Sequence, residues 1–91
     1  MDFTNISKTF TSISSLYELR RVLEVTVGTH VYRVELFHNY LNDNAPYSAR
    51  VYVEGKDGLE LEDFPWVEER TEDDAIHSAL TFLEDRAAGR P

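Results

Sequence analysis

The feature that most limits the fold is the pair of alternating runs on either side of Gly28-Thr29. On the amino side Val25 and Val27 alternate with Glu24 and Thr26; on the carboxyl side Val31 to Phe37 resumes the extended pattern. A period of two marks a strand with one face turned inward. Two such runs separated by two residues, glycine first, specify a type II′ hairpin, because glycine accepts the positive φ that the first turn position needs. On the second strand Tyr32, Val34 and Leu36 point to one side, Arg33 and Glu35 to the other, with Val31 and Phe37 at the ends. A chain built around this hairpin needs an antiparallel sheet and something to cover one side of it.

The pattern continues downstream. Asn39 to Pro46 (NYLNDNAP) has the composition of a loop, and Tyr47 to Glu54 alternates Ala49, Val51 and Val53 with Arg50, Tyr52 and Glu54. After the tight connection Gly55-Lys56-Asp57-Gly58, Leu59 and Leu61 alternate with Glu60 and Glu62 as a fourth strand. Pro65 is expected to end regular pairing or to sit on an edge, since it has no amide to donate. The last element reads as a helix. Thr71 caps it, Glu72, Asp73 and Asp74 meet the positive end of its dipole, and Arg86 and Gly89 mark its end. Ala75, Ile76, Ala79, Leu80, Leu83 and Ala87 form its apolar stripe, with Phe82 at the margin.

Before the hairpin the signals favour a helix as well. Phe3, Ile6, Phe10, Ile13 and Tyr17 recur at spacings of three and four, although their Ser/Thr-rich surroundings disfavour helix interiors. Ser15-Leu16-Tyr17-Glu18 reads as a capping box ahead of Leu19 and Leu23. The expected architecture is α+β: an N-terminal helix, an antiparallel meander of three to four strands, and a C-terminal helix, both helices on one sheet face. The 91 residues form a single domain, 1–91, with 1–14 as an arm or an extension of the first helix.

Charge separates the function classes. Residues 1–53 carry equal numbers of acidic and basic side chains, whereas 54–91 carry twelve acids against four bases and account for the whole net charge of −8. Nucleic-acid affinity rests on Lys and Arg neutralising phosphates, so direct nucleic-acid binding is not expected, nor is an anionic membrane surface. Without cysteine there is neither a disulfide framework nor a thiolate metal site. The start MDFTNISKTF lacks a basic stretch followed by an apolar run, and no run approaches the ~20 apolar residues of a membrane span; the cytoplasm is the expected compartment.

The residues offer little to catalysis. His77 follows Asp73 by four, which brings the two together on a helix as an exposed pair or as an oriented acid/base couple. His30 and His38 share strand parity, but no third ligand stands at metal spacing. Asn42-Asp43-Asn44 lacks the later glycine and glutamate of a calcium loop, and no Gly-x-Ser-x-Gly or phosphate-cradling glycine loop occurs. No enzyme activity, cofactor or metal is expected.

The segment Glu54 to Asp74 holds ten acidic residues opposed only by Lys56 and Arg70. Its carboxylates form a solvated face or, in the sharper reading, an acidic rim around an aromatic anchor. That rim comprises Glu60, Glu62, Asp63, Glu68, Glu69, Glu72, Asp73 and Asp74 around Phe64 and Trp66. Such a surface steers a basic protein by its field and holds it by aromatic burial.

The stretch Val31 to Leu83 resembles HicB-type antitoxins, whose small domain has three strands and then a helix. Asp63-Phe64-Pro65-Trp66 followed by Thr71-Glu72-Asp73-Asp74-Ala75 looks like that family's strand-to-helix passage. The resemblance implies a small protein that occupies the basic active surface of a toxin. The order of elements is also similar to double-stranded-RNA-binding domains, but Glu72-Asp73-Asp74 stands where their basic helix start would be. The leading expectation is therefore a non-enzymatic module that inhibits or regulates a basic protein, as an antitoxin or a phage-type inhibitor does. The alternatives are an accessory subunit that homo-oligomerises, and a small enzyme using His77 or His38.

Overall fold

The computed structural model describes residues 9–89. Four strands, β1 (Tyr17–Val27), β2 (His30–Asn39), β3 (Tyr47–Gly55) and β4 (Gly58–Leu61), form one antiparallel sheet in the order β1-β2-β3-β4, followed by the helix α1 (Glu72–Ala87). The meander, the α+β class and the helix on one face are as expected. Gly28 has φ +61° and Thr29 is not positive, which are the signs of a type II′ turn. Gly58, at φ +115°, follows the Lys56–Asp57 turn, a conformation that strains any L side chain.

The helix expected through Ser15–Leu23 is a strand instead. The Leu16 amide donates to Asn39 Oδ1 at 3.1 Å and its carbonyl accepts from the Tyr40 amide at 2.9 Å, so both are taken by the other side of the sheet. From Tyr17 onward β1 pairs with β2 along its whole length, and this long-range ladder outweighs a local capping signal. A β-bulge between Leu19 and Arg21 hid the strand: it sets Leu19 opposite Phe37 on one face and Leu23 opposite Val34 on the other. The expected helical residues 1–8 lie outside the described residues.

The core lies between sheet and helix. Tyr32, Val34 and Leu36 of β2 and Ala49 and Val51 of β3 face Ala75, Ala79 and Leu83 of α1, all buried. Small alanines let the helix backbone approach the sheet closely. Leu23, Val25, Val27, Val53, Phe64 and Phe82 close the margins. The buried stripe is thus rotated toward Phe82, and Leu80 stays 40% exposed. Thr71 Oγ1 accepts from the Asp74 amide at 3.0 Å as the N-cap.

Regular pairing of the fourth strand stops at Leu61, four residues before Pro65. The chain stays beside β3, with the Glu62 amide on the Val51 carbonyl at 2.7 Å, then leaves the ladder and returns as a bridge between Tyr47 and Glu69. No helix among the described residues is long and apolar enough to cross a membrane.

Candidate functional site

The departure of residues 62–69 from the ladder positions the aromatic pair flanking Pro65, and it sends the two rings to opposite sides of the sheet. Phe64 turns to the helix side and meets Phe82 edge-on at 5.2 Å. Trp66 turns to the open side, where it packs on Tyr17 at 5.5 Å and Phe37 at 6.0 Å and keeps 40% of its surface exposed. Tyr17 and Phe37 are themselves edge-to-face at 6.5 Å. Arg50 completes the cluster, its guanidinium carbon 5.1 Å from the Trp66 centroid and 5.4 Å from that of Phe37. A guanidinium over aromatic faces is held by the ring quadrupole. Trp66 is the member named from the sequence; Tyr17, Phe37 and Arg50 are new. The strand parity that puts Arg33 and Glu35 opposite Tyr32 and Val34 also puts Phe37 and Arg50 there, so that part of the cluster was available.

The carboxylates expected as a rim divide into engaged and exposed groups. Glu62 is paired with Arg86 at 2.9 Å and its side chain is only 12% exposed. Glu68 accepts from the Asn42 amide nitrogen at 2.8 Å, Glu69 from the Ser78 hydroxyl at 3.3 Å, and Glu72 meets Arg20 at 3.7 Å. Asp63 and Glu68 are exposed on either side of Trp66 along the chain, and Asp73 and Asp74 are exposed in the first turn of α1. Glu60, opposite Val53, lies with the helix-side parity of β4, at its exposed edge. The structure thus keeps Asp63, Trp66 and Glu68 on one segment outside the ladder, carries Phe64 and Glu62 to the helix side, and places Asp73 and Asp74 at the helix start.

Around the aromatic cluster the open face stays apolar. Tyr17, Leu19, Val22, Leu59 and Leu61 are 41–64% exposed, and a shallow depression of about 200 Å³ lies between Val22, Val31, Arg33, Glu54 and Leu59. The face carries Glu24, Arg33, Glu35, Arg50 and Glu54, nearly balanced in sign, with Arg33 and Glu35 paired at 2.8 Å. A second concavity, about 770 Å³ and open, lies on the other side between the hairpin tip and the end of α1. Its floor is Val27, Tyr32 and Val53 and its rim holds His30 and the Glu62–Arg86 pair.

The histidines do not converge. His77 Nδ1 lies 3.5 Å from the Thr81 hydroxyl, and no ion pair joins it to Asp73. His38 stands edge-on to Tyr40 at 4.3 Å and against Tyr47 at 4.9 Å, with its Nδ1 buried and unbonded. No group of three His, Cys, Asp or Glu side chains among the described residues is arranged to hold a metal ion.

At the start of β1, Glu18 accepts from the Tyr40 hydroxyl at 2.6 Å, and that bond, with Arg20 adding to it, holds the carboxyl below the usual carboxylate range. The same bond pushes the Tyr40 phenol up. These groups tie the edge strand to the loop after β2.

Among the described residues, fold and surface together define a four-stranded meander roofed on one side by a helix, with an aromatic cluster on the other side. No protein-family model, curated protein or solved structure matches the chain.

Proposed function

We propose that the chain is a non-catalytic protein-binding module that inhibits or regulates a basic protein through the acidic segment around Trp66. The observation that carries the reading is the segment 62–69, which leaves the ladder and places a 40% exposed tryptophan between the exposed carboxylates Asp63 and Glu68. Tryptophan is the side chain most able to supply a large share of binding energy from one position, and flanking like charges accelerate encounter with an oppositely charged surface. Asp73 and Asp74 extend the negative field. The ion pairs that occupy Glu62 and Glu72 leave the net charge of −8 to be answered by a partner.

The resemblance to HicB-type antitoxins gives this reading its most specific form, occupation of a toxin's basic active surface, and a phage-type inhibitor of a nucleic-acid-handling protein is the other form. Its test is a salt series on the complex with a basic protein from the native host. Raising ionic strength from about 50 mM to about 300 mM is expected to weaken binding at least tenfold, because the Debye length falls below the spacing of the charges. The double substitution Glu68→Lys/Glu69→Lys is expected to weaken it further. Affinity indifferent to both would refute the reading.

A further inference from the structure

We infer that the uncovered face of the sheet is a self-association surface on which a second copy of this chain docks, face to face, about a two-fold axis running along the strands between β2 and β3. This goes beyond the proposed function; the two readings share Trp66, and this one rests otherwise on the strand residues of the open face.

The first argument is size. Strands of 11, 10, 9 and 4 residues at about 4.8 Å spacing and about 3.3 Å rise give a face of roughly 540 Å² in plan. That approaches the ~800 Å² per partner of a stable interface and exceeds what a typical crystal-type contact covers. The face is also apolar where it counts: Tyr17, Leu19, Val22, Leu59, Leu61 and Trp66 all keep at least 40% of their surface exposed.

The second argument is charge, and it selects the occupant. Two copies each carrying −8 repel one another over most orientations. The open face is where that repulsion is weakest, because Glu24, Glu35 and Glu54 are largely answered there by Arg33 and Arg50. The oppositely charged residues stand side by side in the ladder, Glu35 opposite Arg50 and Glu24 opposite Arg33. A two-fold axis along the strands exchanges β2 with β3 at equal height. It therefore sets Glu35 over the second copy's Arg50 and Arg50 over the second copy's Glu35. Arg50 has no carboxylate at ion-pair distance within its own described chain, only the rings of Trp66 and Phe37. The same operation stacks the aromatic end of one sheet on the aromatic end of the other, at the ~10 Å separation of packed sheets. The alternative of pairing through the free edge of β1 is opposed by the bulge at Leu19–Arg21, which breaks the flat ladder an added strand needs.

The test is a charge exchange. Sedimentation of the intact chain from about 1 µM to about 500 µM should show the mass rising from 10.5 kDa to twice that value, since interfaces of this size reach micromolar affinity or better. Emission of Trp66, the only tryptophan, should shift to the red on dilution. Glu35→Arg gathers guanidinium groups on both copies and Arg50→Glu gathers carboxylates, so each alone should raise the dissociation constant at least about tenfold. An equimolar mixture of the two variants should recover the dimer, because each then meets its complement. Recovery on mixing is a readout that loss of fold in either variant would not produce. A wild-type chain that stays monomeric across the range with unchanged Trp66 emission overturns the inference, whether a segment of its own chain or a foreign protein covers the face. So does a dimer indifferent to both substitutions. The salt-sensitive complex is told apart by Glu68→Lys/Glu69→Lys, which leaves Glu35 and Arg50 in place.

Discussion

On the helix side of the sheet Val34, Leu36 and Val51 have no exposed surface at all, whereas on the other side Tyr17, Leu19, Val22, Leu59, Leu61 and Trp66 retain 40–64% of theirs. Both faces of the same strands are apolar at alternate positions, but the described chain supplies one helix, and it can roof only one of them. The covered face is largely aliphatic, with Ala79 and Leu83 packed among Val34, Ala49 and Val51 beside Tyr32. The open face mixes large rings with balanced charges. A core needs only volume and apolarity, so aliphatic residues suffice; a surface that must stay soluble yet hold a partner uses aromatic side chains and paired ions. The difference between the faces is therefore the difference between a packed core and the surface proposed above for association.

The largest effect should come from emptying the covered face. Leu36→Ala removes a fully buried side chain between sheet and helix and is expected to cost about 2–5 kcal/mol, while Leu61→Ala on the open face should stay within about 0.5 kcal/mol. Urea unfolding at about 1 µM, where association is weakest, measures both. If Leu61→Ala cost as much as Leu36→Ala under those conditions, the open face would be a second core and the contrast would fail. At high protein concentration the cost of Leu61→Ala should grow, since folding and association are then linked.

A smaller effect tests how firmly the roof is fixed. Thr71→Ala removes the hydroxyl that accepts from the Asp74 amide and is expected to cost about 1 kcal/mol. In a domain of this size that lowers Tm by about 4–8 °C, readable by calorimetry. Thr71→Asp keeps an acceptor at the cap and should restore most of the loss. Equal losses in the two variants would mean that the helix is held by packing alone.

These contrasts also explain what could be read from the sequence. The hairpin at Gly28-Thr29, the alternation in β2 and β3 and the capped helix were legible because each is written in local terms, in turn chemistry and in period. The strand from Tyr17 was not, because the bulge at Arg20 moves Leu19 and Leu23 to opposite faces and gives a spacing that imitates a helix. The candidate site was legible only in part. Trp66 stood out as a large ring in an acidic stretch, but its company was set by sheet register. Phe37 and Arg50 reach it from β2 and β3, and Tyr17 from a strand the sequence disguised. Phe64, two residues away, goes to the other side because the chain has left the ladder after Glu62, and no local signal says where a broken edge will point its side chains.

The smallest expected effect lies where the two faces meet, at the bulged start of β1. Arg20, the extra residue, reaches Glu18 at 3.5 Å and Glu72 at 3.7 Å, and Glu18 takes the Tyr40 hydroxyl. Because the Tyr40 hydrogen bond lowers the Glu18 carboxyl in the folded state, its contribution is present above the ordinary carboxylate pKa of about 4.3 and is lost as pH falls through the lowered value. The raised phenol of Tyr40 acts in the opposite sense: its contribution is complete below about pH 10 and disappears as pH rises through the raised value. Tyr40→Phe removes the donor, so the Glu18 titration followed by carboxyl NMR should move back up toward the ordinary range. All these groups are solvated, so the change in stability should be slight and the titration is the sensitive readout. If the Glu18 midpoint stays where it was, Arg20 rather than Tyr40 controls that carboxylate. The edge strand would then be fastened to the helix through Glu72 rather than to the loop after β2, and Arg20→Ala would become the substitution that frees it.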